Sequence, residues 1–193
     1  LVQRYAAELK KEFPEVDAFV GSGDYEKIVA TLKAVTDGEK VVSVHRAGYL
    51  GVAGEPRVSL TPKFYRYLKI SEGCNHICSF CVIPTLRGKF RSRTLADVVA
   101  EARSLVQEGA RELVLIGQDI TKFGRDYAGK SLLPRLLEEL ETIDGLRWVR
   151  LLYAYPSSLT DETILRMARS SKVCHYLDLP LQHINDRILT SMR

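Results

Sequence analysis

From residue 64 onward the chain repeats one pattern, a short apolar run followed by an amphipathic stretch. FYRYLKIS, ELVLIG, LRWVRLLYAY and VCHYLDLPL read as strands. Leu95, Val98, Val99, Ala102, Leu105 and Val106 form one helical stripe that ends at Gly109. Thr94 and Asp97 in front of it make a capping-box-like start, with aspartate where Glu or Gln is usual. LLPRLLEELETI is a helix that can hold Pro134 only in its first turn. Thr160 to about Ser170 is another helix, and NDRILTSM begins a further one. Strand–helix alternation of this kind builds a parallel sheet with right-handed crossovers, so the fold class is α/β. Functional groups in such sheets gather at the carboxyl ends of the strands. EGCNHICSFC, GQDIT, AYPSS and DLPLQH fall at those ends.

Residues 1–60 have a different rhythm. LVQRYAAELKKEF reads as an amphipathic helix, VDAFVGSGD as a short strand running into a turn. Asp24 is placed to cap a helix carrying Ile28, Val29, Leu32 and Val35, which stops at Asp37-Gly38. VVSVHRAGYLGVAGEPRVSLTP is punctuated by Gly and Pro and reads as a connector. GSGD fits neither common phosphate-loop spacing. The expected division is therefore 1–60 and 61–193. No apolar run approaches the roughly 18–20 residues of a membrane helix.

Three of the four cysteines, Cys74, Cys78 and Cys81, lie in one C-x3-C-x2-C knot. That does not suit a secreted disulfide scaffold; it suits a reducing compartment and a metal. A structural zinc site closes with four protein ligands, which His76 or Cys174 would have to complete. A cubane iron–sulfur cluster has four irons, and three thiolates leave one iron open for a substrate. The basic run RGKFRSR follows the knot and carries Arg87, Lys89, Arg91 and Arg93 with no acid, either as a solvated loop or as a functional patch. Asp178, in an apolar strand, needs a partner if buried, and Arg91 or Arg93 are candidates. His45, His76, His175 and His183 show no helical metal pairing. Cys174 reads as a small buried hydrophobe, and Trp148 as sheet packing.

The cysteine spacing, on a loop after the first strand of a strand–helix repeat, resembles the radical S-adenosylmethionine (SAM) superfamily. Through GCNHICSFC, Pro84, Arg87-Gly88 and Arg91-Ser92-Arg93 it looks like the methylthiotransferase branch. LIGQDITKFGRD, with Asp119, Thr121, Phe123-Gly124 and Asp126, resembles the members that modify a ribosomal protein. LLYAYPSSLTDE and YLDLPLQHINDRIL fit those members too. The resemblance implies a truncated radical SAM partial (β/α) barrel, preceded by part of a flavodoxin-like methylthiotransferase domain. It implies a 4Fe-4S cluster on Cys74, Cys78 and Cys81 whose open iron chelates SAM. Phe80 matches the position near the adenine, and Gly117, Gln118 and Asp119 the stretch that meets the SAM amino group. Tyr155 and Gln182 end later strands and are candidates to line the mouth, while Pro156 and Pro180 shape those ends.

By the same resemblance the reaction is methylthiolation of the β-carbon of an aspartate in the twelfth protein of the small ribosomal subunit. Two SAM molecules are used, and the electron donor is unspecified. A second 4Fe-4S cluster belongs to the full-length protein only, and a carboxy-terminal TRAM domain is expected to be missing from this stretch. Both clusters imply a reducing cytoplasm and no membrane partner. Two alternatives stand beside this reading. One is a tRNA adenosine methylthiotransferase, gripping phosphates through the basic loop. The other is a zinc-stabilised nucleic-acid-binding module, for which Phe90 is the one aromatic of the loop able to stack a base.

Overall fold

Parallel pairing governs both sheets of α/β type in this chain. The computed structural model describes residues 1–58 and 60–192. It falls into two compact units, one of residues 1–49 with 74–89, the other of residues 50–73 with the chain from 90 onward. The expected boundary at residue 60 differs from this division in one respect above all. The cysteine loop is grouped with the amino-terminal residues, although it is threaded between strands of the second unit.

In the first unit, α1 (Val2–Glu12), β1 (Ala18–Val20), α2 (Ile28–Thr36) and β2 (Val41–Ser43) are joined by the one-turn α3 (Ile83–Arg87). β1 and β2 run parallel, with Phe19 opposite Val42, so β1–α2–β2 is a βαβ crossover. Residues 41–43, expected to open a connector, are thus a strand. Val41 and Val42 are β-branched, and partner β1 is supplied by residues more than twenty positions away. Gly23 sits where a Cβ would come within 2.7 Å of the His45 carbonyl, so only glycine allows the two loops beyond the strands to approach. Asp24 does not cap α2 with its side chain. Its carboxylate instead accepts the His45 backbone N–H at 2.6 Å and the Lys27 ammonium at 2.6 Å, beside the His45 ring at 2.9 Å. The helix accordingly opens with a 3-10 turn over Tyr25–Lys27.

The second unit holds a three-stranded parallel sheet in the order β3-β6-β7, formed by β3 (Tyr65–Lys69), β6 (Glu112–Ile116) and β7 (Trp148–Leu151). A two-residue ladder, β4 (Ser71–Glu72) against β5 (Arg91–Ser92), runs antiparallel. The helices are α4 (Leu95–Gln107), α5 (Arg125–Ala128), α6 (Leu133–Glu141), α7 (Asp161–Arg169) and α8 (Asp186–Ser191). The strand period of two puts Leu68, Leu113, Leu115, Val149 and Leu151 on one face. Those five side chains are buried with the α4 stripe Val98, Ala102, Leu105 and Val106 and the α6 stripe Leu133, Leu136, Leu137 and Leu140. The other face leaves Tyr67 and Trp148 open, at 42% and 53% exposure, so Trp148 is not the buried sheet residue expected.

Three helix starts are as the sequence predicts. Thr94 Oγ1 accepts the Asp97 N–H at 3.3 Å, Thr160 Oγ1 the Thr163 N–H at 3.2 Å, and Pro134 lies in the first turn of α6. The fourth expected strand, VCHYLDLPL, is not formed. Only Val173 bridges to Val149, after which the Tyr176 N–H turns back to the Cys174 carbonyl at 2.8 Å. That i to i+2 bond takes the chain off the ladder. β7 also ends four residues earlier than Tyr155 because Tyr153 takes φ +64°.

Candidate functional site

The cysteine loop is built from a turn, a short helix and a glycine. The Cys81 N–H donates to the Cys78 carbonyl at 3.0 Å, and the His76 N–H points to Cys74 Sγ at 3.4 Å. Pro84 then sits in the first turn of α3, and Gly88, at φ +76°, sends its N–H back to the Pro84 carbonyl. The P-x2-RG spacing is therefore a single helical turn with a proline start and a glycine stop. The Cys74 N–H closes the loop on the Gly88 carbonyl at 3.2 Å.

None of the three cysteines is in a disulfide, and all three are half-buried, as is Cys174. Among the described residues no three Cys, His, Asp or Glu side chains form a group able to hold a metal ion. The structure thus sets Cys74, Cys78 and Cys81 on one loop without gathering their sulfurs. The donor set still fits an iron–sulfur cluster by its chemistry. It offers three soft thiolate donors within eight residues, none spent in a disulfide, with the His76 backbone N–H turned toward the Cys74 sulfur. Phe80, in the same unit, is 57% exposed.

The second unit carries the remaining candidates at the carboxyl ends of β6 and β7. Gly117 is packed so closely that a Cβ would meet Ser71 Oγ at 2.4 Å. Gln118 turns its side-chain oxygen onto the Gly73 N–H at 2.6 Å. Asp119 is buried, its Oδ1 accepting both the Thr121 N–H at 3.1 Å and the Thr121 hydroxyl. Lys122 Nζ stands 3.6 Å from Asp119 Oδ2 and 5.9 Å from the centre of the Tyr155 ring. Asp119 and Tyr155 are therefore linked through Lys122, the unforeseen member, while Gln118 faces Gly73. Gln182 lies apart on an exposed backbone at φ +62°.

The basic run changes character. Phe90 and Arg93 are 6% and 5% exposed, and Ser92 is buried. Arg93 Nε donates to Asp97 at 2.7 Å and its Nη1 reaches Glu101 and the Lys69 carbonyl. Burial alone would lower its basicity, but the two carboxylates hold the guanidinium above its ordinary range. Burial raises and then the Ala53 N–H and Arg93 more than reverse the Asp97 pKa, leaving it below the usual carboxylate value. Arg93 is thus committed to α4 and does not serve Asp178, whose carboxylate accepts the Tyr153 N–H at 3.2 Å. Nor can Phe90 stack a base from its buried position. The available signal was local: Asp97 and Glu101 lie four and eight residues beyond Arg93, one and two turns into the next helix. Cys174, half-buried rather than enclosed, has its thiol pushed up by burial against the pull of Arg150.

The sequence profile of the radical SAM superfamily matches residues 68–193, which include all three clustered cysteines and every candidate at the strand ends. The chain belongs to the radical SAM superfamily. Across its whole length this radical SAM chain is similar to proteins named ribosomal protein uS12 methylthiotransferase RimO. The one from Thermoanaerobacter sp. (strain X514) is 47% identical over 192 residues, covering 100% of this chain and 44% of that protein. The one from Geobacter sulfurreducens is 52% identical over 198 residues, covering 100% and 43%. The chain therefore spans less than half the length of these curated relatives. Among solved structures it resembles the radical SAM methyltransferase TsrM of Kitasatospora setae, at a TM-score of 0.61 and 18% identity over 88% of this chain and 38% of that one. That likeness speaks to the fold of the radical SAM core.

Proposed function

We propose that this chain is the central part of a methylthiotransferase that replaces a hydrogen on the β-carbon of an aspartate in ribosomal protein uS12 with a methylthio group. One observation carries the reading. Identity of 47% and 52% runs through the entire chain to proteins of that name, rather than through the cysteine motif alone. Cys74, Cys78 and Cys81 would hold a 4Fe-4S cluster as thiolates and would leave one iron for SAM. When bound, the cluster supplies the electron that makes SAM a radical source.

The chain's own groups bind and orient. Phe80 offers an aromatic face for the adenine. Asp119 offers a carboxylate to the SAM ammonium, and Thr121 and Lys122 fix that carboxylate in a buried position. Gln118 is already spent on the Gly73 N–H, so its contribution is to shape rather than to contact. Tyr155 closes the far side of Lys122, and Gln182 belongs to the exposed rim. Cluster chemistry of this type belongs in a reducing cytoplasm. Modification of tRNA is disfavoured by the buried Phe90 and Arg93, which withdraw two of the groups a nucleic-acid patch would use.

The test is anaerobic reconstitution of the full-length protein with iron and sulfide, read by absorption and paramagnetic resonance with and without SAM. A SAM-dependent change of the cluster signal and a methylthio mass gain on uS12 are expected. A colourless protein with one equivalent of zinc, or a mass gain on an anticodon stem-loop instead, would overturn the reading.

A further inference from the structure

The cysteine loop springs from a neck that its own ladder cannot fix. β4 and β5 contribute only two residue pairs, Ser71 with Ser92 and Glu72 with Arg91. Two-stranded ribbons of this kind are marginal without help from outside. Beyond the Arg93 bonds to the Ile70 and Lys69 carbonyls, both at 2.9 Å, help comes from one segment, residues 118–126, directly after β6. On the incoming limb the Gly73 N–H donates to Gln118 Oε1 at 2.6 Å. On the outgoing limb the Ser92 N–H donates to Asp126 Oδ2 at 2.9 Å, and the Ser92 hydroxyl accepts the Gly124 N–H at 2.8 Å.

That segment is itself firmly held. Asp119 caps its 3-10 turn, Phe123 is fully buried, and the Leu132 N–H donates to the Phe123 carbonyl at 2.7 Å. Gly124 takes φ +81° where a Cβ would lie 2.6 Å from Leu132 Cγ, so the turn that presents its N–H to Ser92 requires glycine.

We propose that Gln118, Ser92 and Asp126 are positioning residues that clamp the two limbs of the cysteine loop onto the end of β6. The iron-dependent part of this inference rests on the cluster reading above; the mobility part does not. The clamp restrains the loop before any metal arrives and slows metal loss afterwards.

The experiment uses the full-length chain and the variants Asp126→Ala, Ser92→Ala and Asp126→Asn. Hydrogen exchange is followed in metal-free protein at residues 73–92 and, for comparison, at β3, β6 and α6. Exchange at 73–92 should quicken by about fivefold in the two alanine variants, the size of effect one lost hydrogen bond produces. Exchange in the sheet should stay as in the parent, and Asp126→Asn should behave as the parent because its amide oxygen still accepts. Reconstituted protein should show the same ranking in the rate of iron loss to a chelator. Unchanged exchange at 73–92, or an equal acceleration through sheet and loop, would overturn the proposal. If the parent chain takes up no iron, the cluster reading fails while the exchange result still decides the clamp.

Discussion

Asp24 illustrates how much one buried side chain can organise. It is 1% exposed and ties His45 and Lys27 to the loop after β1. Burial pushes its carboxyl up, but the Lys27 ammonium and the His45 N–H and ring outweigh that and hold it below the usual range. A group whose folded pKa is depressed adds stability above its unfolded value of about 3.9, and loses it as pH falls through the folded value. Asp97 and Glu141 are depressed as well, Glu141 because the Ser171 N–H, Ser170 and Arg166 together overcome its burial. Resistance to chemical unfolding should therefore fall steadily below about pH 4. Asp24→Asn should be less stable at neutral pH and show a shallower acid slope; an unaltered slope would remove Asp24 from this account. Arg93→Met should cost about 2–3 kcal/mol in urea unfolding, below the full cost of a wholly buried pair, because the Asp97 and Glu101 side chains keep 23% and 14% exposure.

At the level of elements, what depends on neighbours in sequence was legible and what depends on distant partners was not. The caps at Thr94 and Thr160 and the proline start of α6 are local, each satisfied within three residues. Thr94→Ala should cost about 1 kcal/mol, measured by thermal unfolding, with no change in the spectrum of the folded state. The stripes of α4 and α6 and the first three strands of the second unit follow from periodicity alone. The fourth strand does not, because an apolar run becomes a strand only if its N–H and C=O groups find a ladder. Beyond Val173 the chain spends them on a Cys174–Tyr176 turn and on the Ala154 N–H. The basic run was left open between a solvated loop and a functional patch, although the acids that pair with Arg93 lie only four and eight residues on. Its charges look solvated until Asp97 and Glu101 are brought beside Arg93. The three cysteines stood out because their spacing carries the chemistry itself, whereas Lys122 announced nothing until the turn after Asp119 set it against Tyr155.

For the molecule as a whole, the three thiols belong to the first unit and the strand-end residues to the second. Metal uptake should depend first on the three thiols. Replacing Cys74, Cys78 and Cys81 by alanine should abolish iron binding in reconstituted protein, while Cys174→Ala should leave it unchanged, both read as iron per chain. Acid should also drive iron off, since only thiolates bind and protons compete for them. Iron retention that is indifferent to the three cysteines would place the metal elsewhere. The face of the β3-β6-β7 sheet that carries Tyr67 and Val114 also carries the only tryptophan, Trp148, with more than half its surface in water. Its fluorescence is thus a gauge of that side and not of the hydrophobic interior. Any further polypeptide laid across those strands should shift the emission to shorter wavelength, so a longer form of the protein can be compared with this one by its own light.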